Sequence, residues 1–373
     1  MNASEHLILG IESSCDETAA AIVAGGRRIL SSVVASQNDI HRKYGGVVPE
    51  LASREHLRQI VPVVREAVDQ ARVELRDVDA VAVTQGPGLI GALLVGVTYG
   101  KVLAFAQGKP LIAVNHLEGH VHAVFLEAHS TGREPQLPAA CLIVSGGHTI
   151  LYHVKSEPSN GAQRYSYTRI GGTRDDAAGE AYDKVARMLG LGYPGGPVID
   201  RLATHGNAQA IHFNEPKMSG NPFDFSFSGI KTAVLYHLRR NPQLEPEIGA
   251  RREALARGDR GANALLALSG AATLDLIASF QRAVVDNLVS RTFAAAAQHA
   301  THALLVSGGV AANSELRRTF EAEATRCGIE VYFPSRALST DNAAMIAAAG
   351  HARFVSGERA DSALNAEANL PLS

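Results

Sequence analysis

Three histidines and one glutamate lie within nine residues of this sequence, in the stretch NHLEGHVHA at 115–123. His116 and His120 are four residues apart, so on a helix they would share one face. Imidazoles at that spacing can bind a metal, although a structural histidine pair explains the spacing equally well. The order HLEGH lacks the glutamate that directly follows the first histidine in zinc peptidases. A third ligand must therefore come from elsewhere.

Short polar turns rich in serine and glycine follow several predicted strands. Three of them, at 13–17, 145–148 and 307–313, could present free backbone N–H groups to a phosphate. Any one of them could equally be a tight turn needed only for folding. IVSGG at 143–147 and LVSGG at 305–309 are near repeats, which favours a nucleotide cleft between two related lobes. Neither a P-loop nor a Rossmann glycine motif after a strand occurs in the sequence.

Several carboxylates accompany these turns. Asp183 and Asp200 flank a further glycine pair at 195–196, where they could bind ribose hydroxyls or simply be exposed helix charges. Asp341, in STDNAAM, is most simply the cap of a final helix. It could equally complete a His–His–Asp site, because divalent metals accept mixed nitrogen and oxygen ligands.

The pattern of apolar residues predicts an α/β protein built twice over. Hairpins are predicted at 7–24 and 141–154, and each is followed by alternating helices and strands. This order favours mixed sheets in two related halves.

The sequence also predicts several features of individual segments. Residues 51–71 have helical spacing, with Pro62 either kinking the helix or marking its start. Residues 89–105 are apolar and glycine-rich, which indicates a buried, close-packed helix rather than a membrane span. Residues 243–271 lack a clear apolar face and are expected to be a mobile insertion.

Composition limits the classes of function and compartment. A chain of 373 residues is long enough for two domains, and its net charge of −2 requires local basic patches for any nucleic-acid partner. Three distant cysteines without a C-x-x-C spacing suit a reducing compartment. The N-terminus has no basic segment before a signal-like apolar run, so a cytoplasmic protein without a membrane partner is expected.

Nine motifs occur in order along the chain: GIESSCDET, GGVVPELASREH, QGPGLIGALLVG, NHLEGH, LIVSGGHT, DDAAGEAYDKVARMLGLGYPGGP, FSFSGIKTA, LVSGGVAAN and TDNAAMIA. Taken as a set, they closely resemble the motifs of the TsaD family, also called Gcp or YgjD. These are bacterial tRNA N6-adenosine threonylcarbamoyltransferases. The resemblance spans about residues 7–350, with departures at about 243–271 and after 355.

The resemblance implies an ASKHA (actin/hexokinase/Hsp70-like) fold, with two lobes that are each a mixed sheet with flanking helices and a nucleotide cleft between them. The N-terminal lobe would comprise 1–114 and about 340–373, and the C-terminal lobe 115–339 with its insertion at about 243–271. One divalent metal is implied, Fe(II) in the first place and Zn(II) as the alternative, with His116, His120 and Asp341 as ligands. The substrate-binding residues implied are Ile143, Val144, Ser145, Gly146, Gly147, Asp183, Gly196, Asp200 and Asn313.

The reaction implied by the resemblance transfers the threonylcarbamoyl group from threonylcarbamoyl-AMP to N6 of the adenosine 3′ of the anticodon. The tRNAs are those that read codons beginning with A; the products are t6A and AMP. The partners implied are tRNA, the TsaB protein and the TsaE ATPase, and the helices at 51–71 and 89–105 are candidate TsaB-docking faces. Alternatives are an ATP-dependent phosphotransferase or ATPase of the same fold, a metallopeptidase, and a nucleotide-binding scaffold.

Overall fold

The computed structural model describes residues 5–159, 162–214 and 218–373, which form two sheets with flanking helices. The strands are β1 Leu7–Glu12, β2 Glu17–Ala24, β3 Arg28–Ser36, β4 Ala80–Gly86, β5 Leu111–Asn115, β6 Ala139–Val144, β7 Thr149–Ser159, β8 Ala162–Gly172, β9 Ala303–Ser307 and β10 Glu330–Tyr332. The helices are α1 Asn38–His41, α2 Pro49–Ala71, α3 Ile90–Gln107, α4 His116–Ser130, α5 Ala178–Met188, α6 Gly195–Ala203, α7 Ser228–Arg240, α8 Glu245–Arg257, α9 Ala262–Ala267, α10 Ala271–Gln298, α11 Ser314–Cys327, α12 Arg336–Ser339 and α13 Ala343–Val355.

The two sheets have the same plan. The first has the order β3-β2-β1-β4-β5 and the second β8-β7-β6-β9-β10. In each, three antiparallel strands joined by short turns are followed by two strands that run parallel to the first. Parallel neighbours need long crossover connections, which the helices supply. The predicted α/β architecture of two related halves is thus confirmed.

Each face of the first sheet is covered by helices. Alternate residues of a strand point to opposite faces, and both faces of this sheet carry apolar side chains that pack against those helices. On β1, Ile8 packs in the cluster that contains α13, whereas Leu9 packs in the cluster that contains α2 and α3. In the second sheet, Leu142 of β6 packs with α5, α6 and α10. Packing against helices holds these strands in place, and the strands in turn position the turns that follow them.

Helix α4 joins the two halves. Val121 and Val124 pack in the cluster that contains the second sheet, while Ala123 and Leu126 pack against α13 and the first sheet. A helix buried on all sides has little freedom to rotate or shift. The histidines of α4 are consequently held rigidly between the halves.

Helix α3 is close-packed on one face only, so the expectation of a fully buried helix is wrong for the other face. A side chain at Gly96 or Gly100 would collide with Ser13 or Val83. On the opposite face, Phe105 is 90% exposed. Among the described residues, α3 alone is long and apolar enough to cross a membrane, a test that core helices of soluble proteins also pass.

Two other segments differ from their expected structure. Helix α2 runs from Pro49 to Ala71, so Pro62 lies inside it and does not mark its start. The stretch 243–271 is helical rather than irregular. Within it, the fully buried Arg251 donates from Nε to the Leu189 carbonyl (2.8 Å) and from Nη1 to the Leu268 carbonyl (2.9 Å).

The C-terminal tail covers the edge of the first sheet. The backbone N–H of Ala360 donates to the Leu111 carbonyl (2.8 Å), and that of Glu367 donates to the Gln85 carbonyl (2.9 Å). Farther on, the Asn115 side chain donates to the Pro371 carbonyl (3.1 Å). The tail thereby pairs with strand groups that would otherwise be unpaired.

Candidate metal and substrate site

The candidate metal ligands lie where parallel strands of the first sheet end. Strand β5 ends at Asn115, whose side chain accepts a hydrogen bond from the Leu117 backbone N–H (2.9 Å) and so caps α4. His116 is therefore the first residue of α4, and His120 lies one turn later. Asp341 comes just before α13. One ligand atom from each of His116, His120 and Asp341 lies within 4.8 Å of the others.

Both histidines direct Nε2 towards one carboxylate. The distance from Asp341 Oδ1 is 3.3 Å for His120 and 3.7 Å for His116. His120 is completely buried, and apart from the Asp341 carboxylate that its Nε2 faces, its ring nitrogens have no polar partner among the described residues. Two imidazole nitrogens and one carboxylate oxygen around one point suit a divalent metal.

Glu12, a residue that the sequence analysis missed, orients the first histidine. Its Oε2 lies 3.2 Å from His116 Nδ1 and accepts a hydrogen bond from Thr84 Oγ1 (2.6 Å). Such a partner fixes the ring so that the opposite nitrogen faces the metal position. Glu12 ends β1, which pairs with β4, and β4 pairs in turn with β5. Its position at the end of a strand in the same sheet as Asn115 was the available signal. Burial alone would lower the pKa of His116, but Glu12 and Asp341 raise it to about 9.

The simplest interpretation of Asp341, as the cap of the final helix, is wrong. Asn342 caps α13, with its side chain accepting from the Met345 backbone N–H (3.0 Å). Asp341 is thereby free to face the histidines. Burial would raise its pKa, but His116 and His120 hold the pKa of the Asp341 carboxyl well below its usual range.

The third histidine of the opening stretch is not part of this group. His122 Nε2 lies 3.4 Å from the hydroxyl of Tyr167, on strand β8 of the second sheet. Burial lowers its pKa to about 3, so it is neutral. His116 and His120 therefore remain the candidate ligand pair, and His122 lies apart from them.

The turn after β6 lies beside the metal group. Ile143 and Val144 are buried strand residues, and the turn closes with the Ser145 N–H donating to the His148 carbonyl (2.7 Å). A side chain at Gly146 or Gly147 would meet nothing within 4 Å, so this turn borders open space. The rings of His148 and His116 are 6.1 Å apart between centroids.

Asp183 and the glycine pair 195–196 form the next part of the candidate site. Asp183 Oδ1 accepts a hydrogen bond from the Gly195 backbone N–H (2.7 Å), which fixes the start of α6 against α5. Burial raises the pKa of Asp183 to about 6. Helix α5 itself begins against the β6 turn, because a side chain at Gly179 would lie only 2.7 Å from the Ser145 carbonyl oxygen.

Asp200 and Asn313 are connected through a glutamine that sequence reasoning did not find. Gln281 is 3% exposed in the middle of α10; its amide donates to Asp200 (3.2 Å) and accepts from Asn313 Nδ2 (2.9 Å). Asp200 also accepts from the N–H (3.0 Å) and hydroxyl (2.9 Å) of Ser314. Asp200 and Asn313 therefore belong to one polar network around the buried Gln281. In the sequence, nothing around Gln281 distinguishes it from other residues of a core helix.

Comparison with known proteins adds close relatives. Residues 28–348 match the family profile described as TsaD, tRNA N6-adenosine threonylcarbamoyltransferase. The protein so named in Koribacter versatilis is 56% identical over 384 aligned residues, covering 99% of this chain and all of the relative. That of Symbiobacterium thermophilum is 50% identical and covers 99% of this chain and 98% of the relative.

Solved structures of low sequence identity share the fold. HypF from T. kodakarensis has a TM-score of 0.55 at 12% identity, covering 95% of this chain and 48% of that one. Full-length HypF in a phosphate- and nucleotide-bound form has a TM-score of 0.54 at 13% identity, covering 94% of this chain and 46% of that one. The match extends over both sheets, in agreement with the predicted two-lobed fold.

Proposed function

This chain belongs to the TsaD family, and from that premise we propose that it transfers a threonylcarbamoyl group to N6 of the adenosine 3′ of the anticodon. The donor is threonylcarbamoyl-AMP, and the acceptors are tRNAs that read codons beginning with A. A bond forms between N6 and the carbamoyl carbon, the bond from that carbon to the AMP phosphate breaks, and N6 loses one proton. Relatives at 50–56% identity over nearly the whole chain carry this proposal.

The proposed metal is Fe(II), with Zn(II) as the alternative, and its ligands are His116, His120 and Asp341. When bound, a divalent cation supplies a Lewis acid that can hold and polarise an oxygen of the threonylcarbamoyl group. The support for this assignment is that the three ligand atoms lie within 4.8 Å and that His120 lacks any other partner among the described residues. Glu12 positions His116 from its opposite nitrogen.

The adenylate is proposed to lie along the second sheet. The backbone of Ile143–Gly147 passes from the buried end of β6 into a turn beside open space, where N–H groups can hold the AMP phosphate. Gly196 leaves similar open space at the start of α6, next to Asp183. Asp200 and Asn313 hold the facing helix ends through Gln281. Because an exocyclic purine amine is a poor nucleophile, this positioning carries much of the rate.

TsaB is proposed to dock on the exposed apolar face of α2 and α3, which pack against each other. Leu57 is 65% exposed on α2, while Val102 and Phe105 of α3 are 62% and 90% exposed. Large exposed apolar side chains along two packed helices are typical of protein interfaces. TsaE is the second proposed partner, and the cytoplasm, where tRNA is modified, is the proposed location.

The docking face can be tested with V102D/F105D. A charge in the interface should weaken capture of TsaB about 100-fold or more, while the melting temperature changes little because both side chains already face water. E66K, at an exposed position of α2, is the surface control. Unchanged TsaB binding by V102D/F105D would rule this face out.

The reaction itself is tested by nucleoside analysis. Purified protein with TsaB and TsaE receives labelled threonylcarbamoyl-AMP and unmodified tRNA, and the product is digested. We expect label in the modified adenosine, and its loss together with bound metal in H116A/H120A. Steady ATP turnover without tRNA or adenylate would instead indicate a phosphotransferase, and transfer that survives in H116A/H120A would remove the metal from the proposal.

A further inference from the structure

A groove of about 550 Å³ lies beside the candidate substrate site and is lined by four arginines. Arg42 comes from the segment after α1, Arg187 from the end of α5, Arg252 from α8, and Arg260 from the loop between α8 and α9. The described residues that line the groove include no carboxylate. In a chain of net charge −2, this is a local concentration of positive charge.

The arginines are only partly neutralised by neighbouring acids. Arg42 pairs with the exposed Asp39 at 2.5 Å. Arg252 is 3.8 Å from Glu245, and both side chains are more than half exposed, so this pair is weak. Within the described part of the chain, neither Arg187 nor Arg260 forms an ion pair. Four guanidinium groups from separate segments suit several anionic groups in a row better than one small anion.

The groove is also lined by Tyr193, Pro194, Pro197 and Val198, which offer an aromatic ring and apolar surface. Arginines together with such groups match a single-stranded nucleic acid, whose phosphates contact arginine while its sugars and bases lie on apolar groups.

The groove adjoins the candidate substrate site. Pro194 and Pro197 flank the pair Gly195–Gly196, and Gly195 is the residue held by Asp183. A strand with one base near Gly196 would therefore have neighbouring phosphates within reach of the groove.

Buried Arg251 explains why the segment 245–267 is ordered at this position. Its guanidinium reaches the carbonyls of Leu189 (2.8 Å) and Leu268 (2.9 Å), tying α8 to the loop after α5. Gly190 lies so close to α8 that a side chain there would come 2.8 Å from the Ile248 carbonyl oxygen. Arg252, the next residue on α8, is exposed at the groove wall.

We infer that this arginine groove binds the phosphates of the tRNA anticodon arm, and that the helical segment 245–267 exists to build its outer wall. The inference rests on the proposed function, since it names where the acceptor RNA of that reaction lies. It gives a role to a segment that the motifs of the family leave unexplained.

The test uses R252A/R260A, because Arg42 and Arg187 also bond the backbone of Tyr193 and Gly45 and removing them would disturb the contact between the halves. Binding of unmodified tRNA transcript is measured without adenylate, followed by the transfer KM for tRNA. We expect affinity to fall about 10-fold or more near 0.15 M salt. The slope of log K against log salt should fall by about 0.7–0.9 for each lost phosphate contact.

Two matched variants sharpen the result. R239A/R240A removes the same charge from exposed residues of α7 that do not line the groove, and it should leave both quantities unchanged. R252K/R260K should recover most of the affinity, because phosphates accept lysine as a point charge.

The groove and the reaction can fail separately. Unchanged tRNA affinity and salt slope in R252A/R260A, with normal transfer, would overturn the groove and leave the reaction intact. If R252A/R260A bound tRNA more weakly but the wild-type protein showed no transfer, the groove would stand and the proposed reaction would be overturned.

Discussion

Two nearly identical stretches, IVSGG at 143–147 and LVSGG at 305–309, use their glycines for different purposes. They lie side by side, since β6 and β9 are parallel neighbours. Gly308 has a φ of +97°, and a side chain there would collide with the Val144 backbone carbonyl. At Gly146 and Gly147 a side chain would meet nothing within 4 Å. One glycine thus permits close packing of the two strand ends, while the other two leave space beside the turn.

The glycine pair 195–196 contains one glycine that permits close packing and one that leaves open space. A side chain at Gly195 would collide with Ala186 and lie 2.9 Å from the Tyr182 carbonyl oxygen, whereas Gly196 faces open space. The same dipeptide can therefore be required by the fold at one position and by a ligand at the next. Substitutions by alanine separate the two roles, because they change stability at the packed glycines and catalysis at the open ones.

The largest effect is expected for G308A. Positive φ in a residue with a side chain costs about 1–3 kcal/mol, and the collision with Val144 adds a similar amount. Together, about 2–6 kcal/mol is a large part of the stability of a typical domain. We expect a strongly lowered melting temperature and poor soluble yield, measured by thermal unfolding. G309A is the control, since its side chain would meet no atom within 4 Å; equal melting temperatures would refute the distinction.

G147A should lower activity while leaving stability nearly unchanged. Its added methyl enters open space, so the free energy of unfolding should change by less than about 1 kcal/mol. In the proposed site, the methyl would hinder a phosphate from reaching the turn N–H groups. We expect kcat/KM for the adenylate to fall about 10- to 100-fold. A normal rate in a stable G147A protein would show that the turn does not hold the donor.

A smaller effect is expected at Gly196. Alanine favours a helix over glycine by about 0.5–1 kcal/mol, so G196A should keep or slightly raise the melting temperature. The KM for the adenylate should rise about 3- to 10-fold, because the methyl narrows the space beside Asp183. G195A provides the contrast, with lowered stability from its collision with α5. If both variants lost stability equally, the open and packed members of the pair would not differ.

The sequence predicted the fold class because its signals are local: hairpins have alternating apolar residues that can be recognised in short windows. The spacing of His116 and His120 left a metal site and a structural pair equally open, and their assignment as ligands stays a prediction. The doubled plan followed from the two predicted hairpins at 7–24 and 141–154. The near repeat of IVSGG and LVSGG was a wrong signal for it, because β6 and β9 both belong to the second sheet. Asp341 needed the family resemblance, because a single Asp before a helix is most simply a cap and only its neighbour Asn342 shows otherwise.

What the sequence missed depends on long-range contacts. Glu12 meets His116 across 104 positions, and Gln281 meets Asp200 across 81. Neither residue has a distinctive spacing. The segment 243–271 was misjudged because Arg251, which would be expected on the surface, is buried with two carbonyl partners. One is Leu189, after α5, and the other is Leu268, 17 residues later in the same segment. The proposed boundaries between lobes, at about 114 and 340, stay a prediction.

The last prediction concerns the carboxylate that holds the packed glycine Gly195. Burial raises the pKa of Asp183 from 3.8 to about 6, so the folded state retains a proton that the unfolded state has lost between these values. The contribution of Asp183 to the free energy of unfolding should therefore fall as pH rises from about 4 to about 6 and stay lower above that. D183N cannot titrate, and its amide oxygen can still accept from the Gly195 N–H. Relative to wild type, we expect D183N to gain about 1 kcal/mol at pH 8 and nothing near pH 4, measured by chemical unfolding. D183A lacks the acceptor and should be less stable than D183N at every pH. A D183N difference that does not vary with pH would mean that the hydrogen bond, and not the buried charge, decides how firmly Gly195 is held against α5.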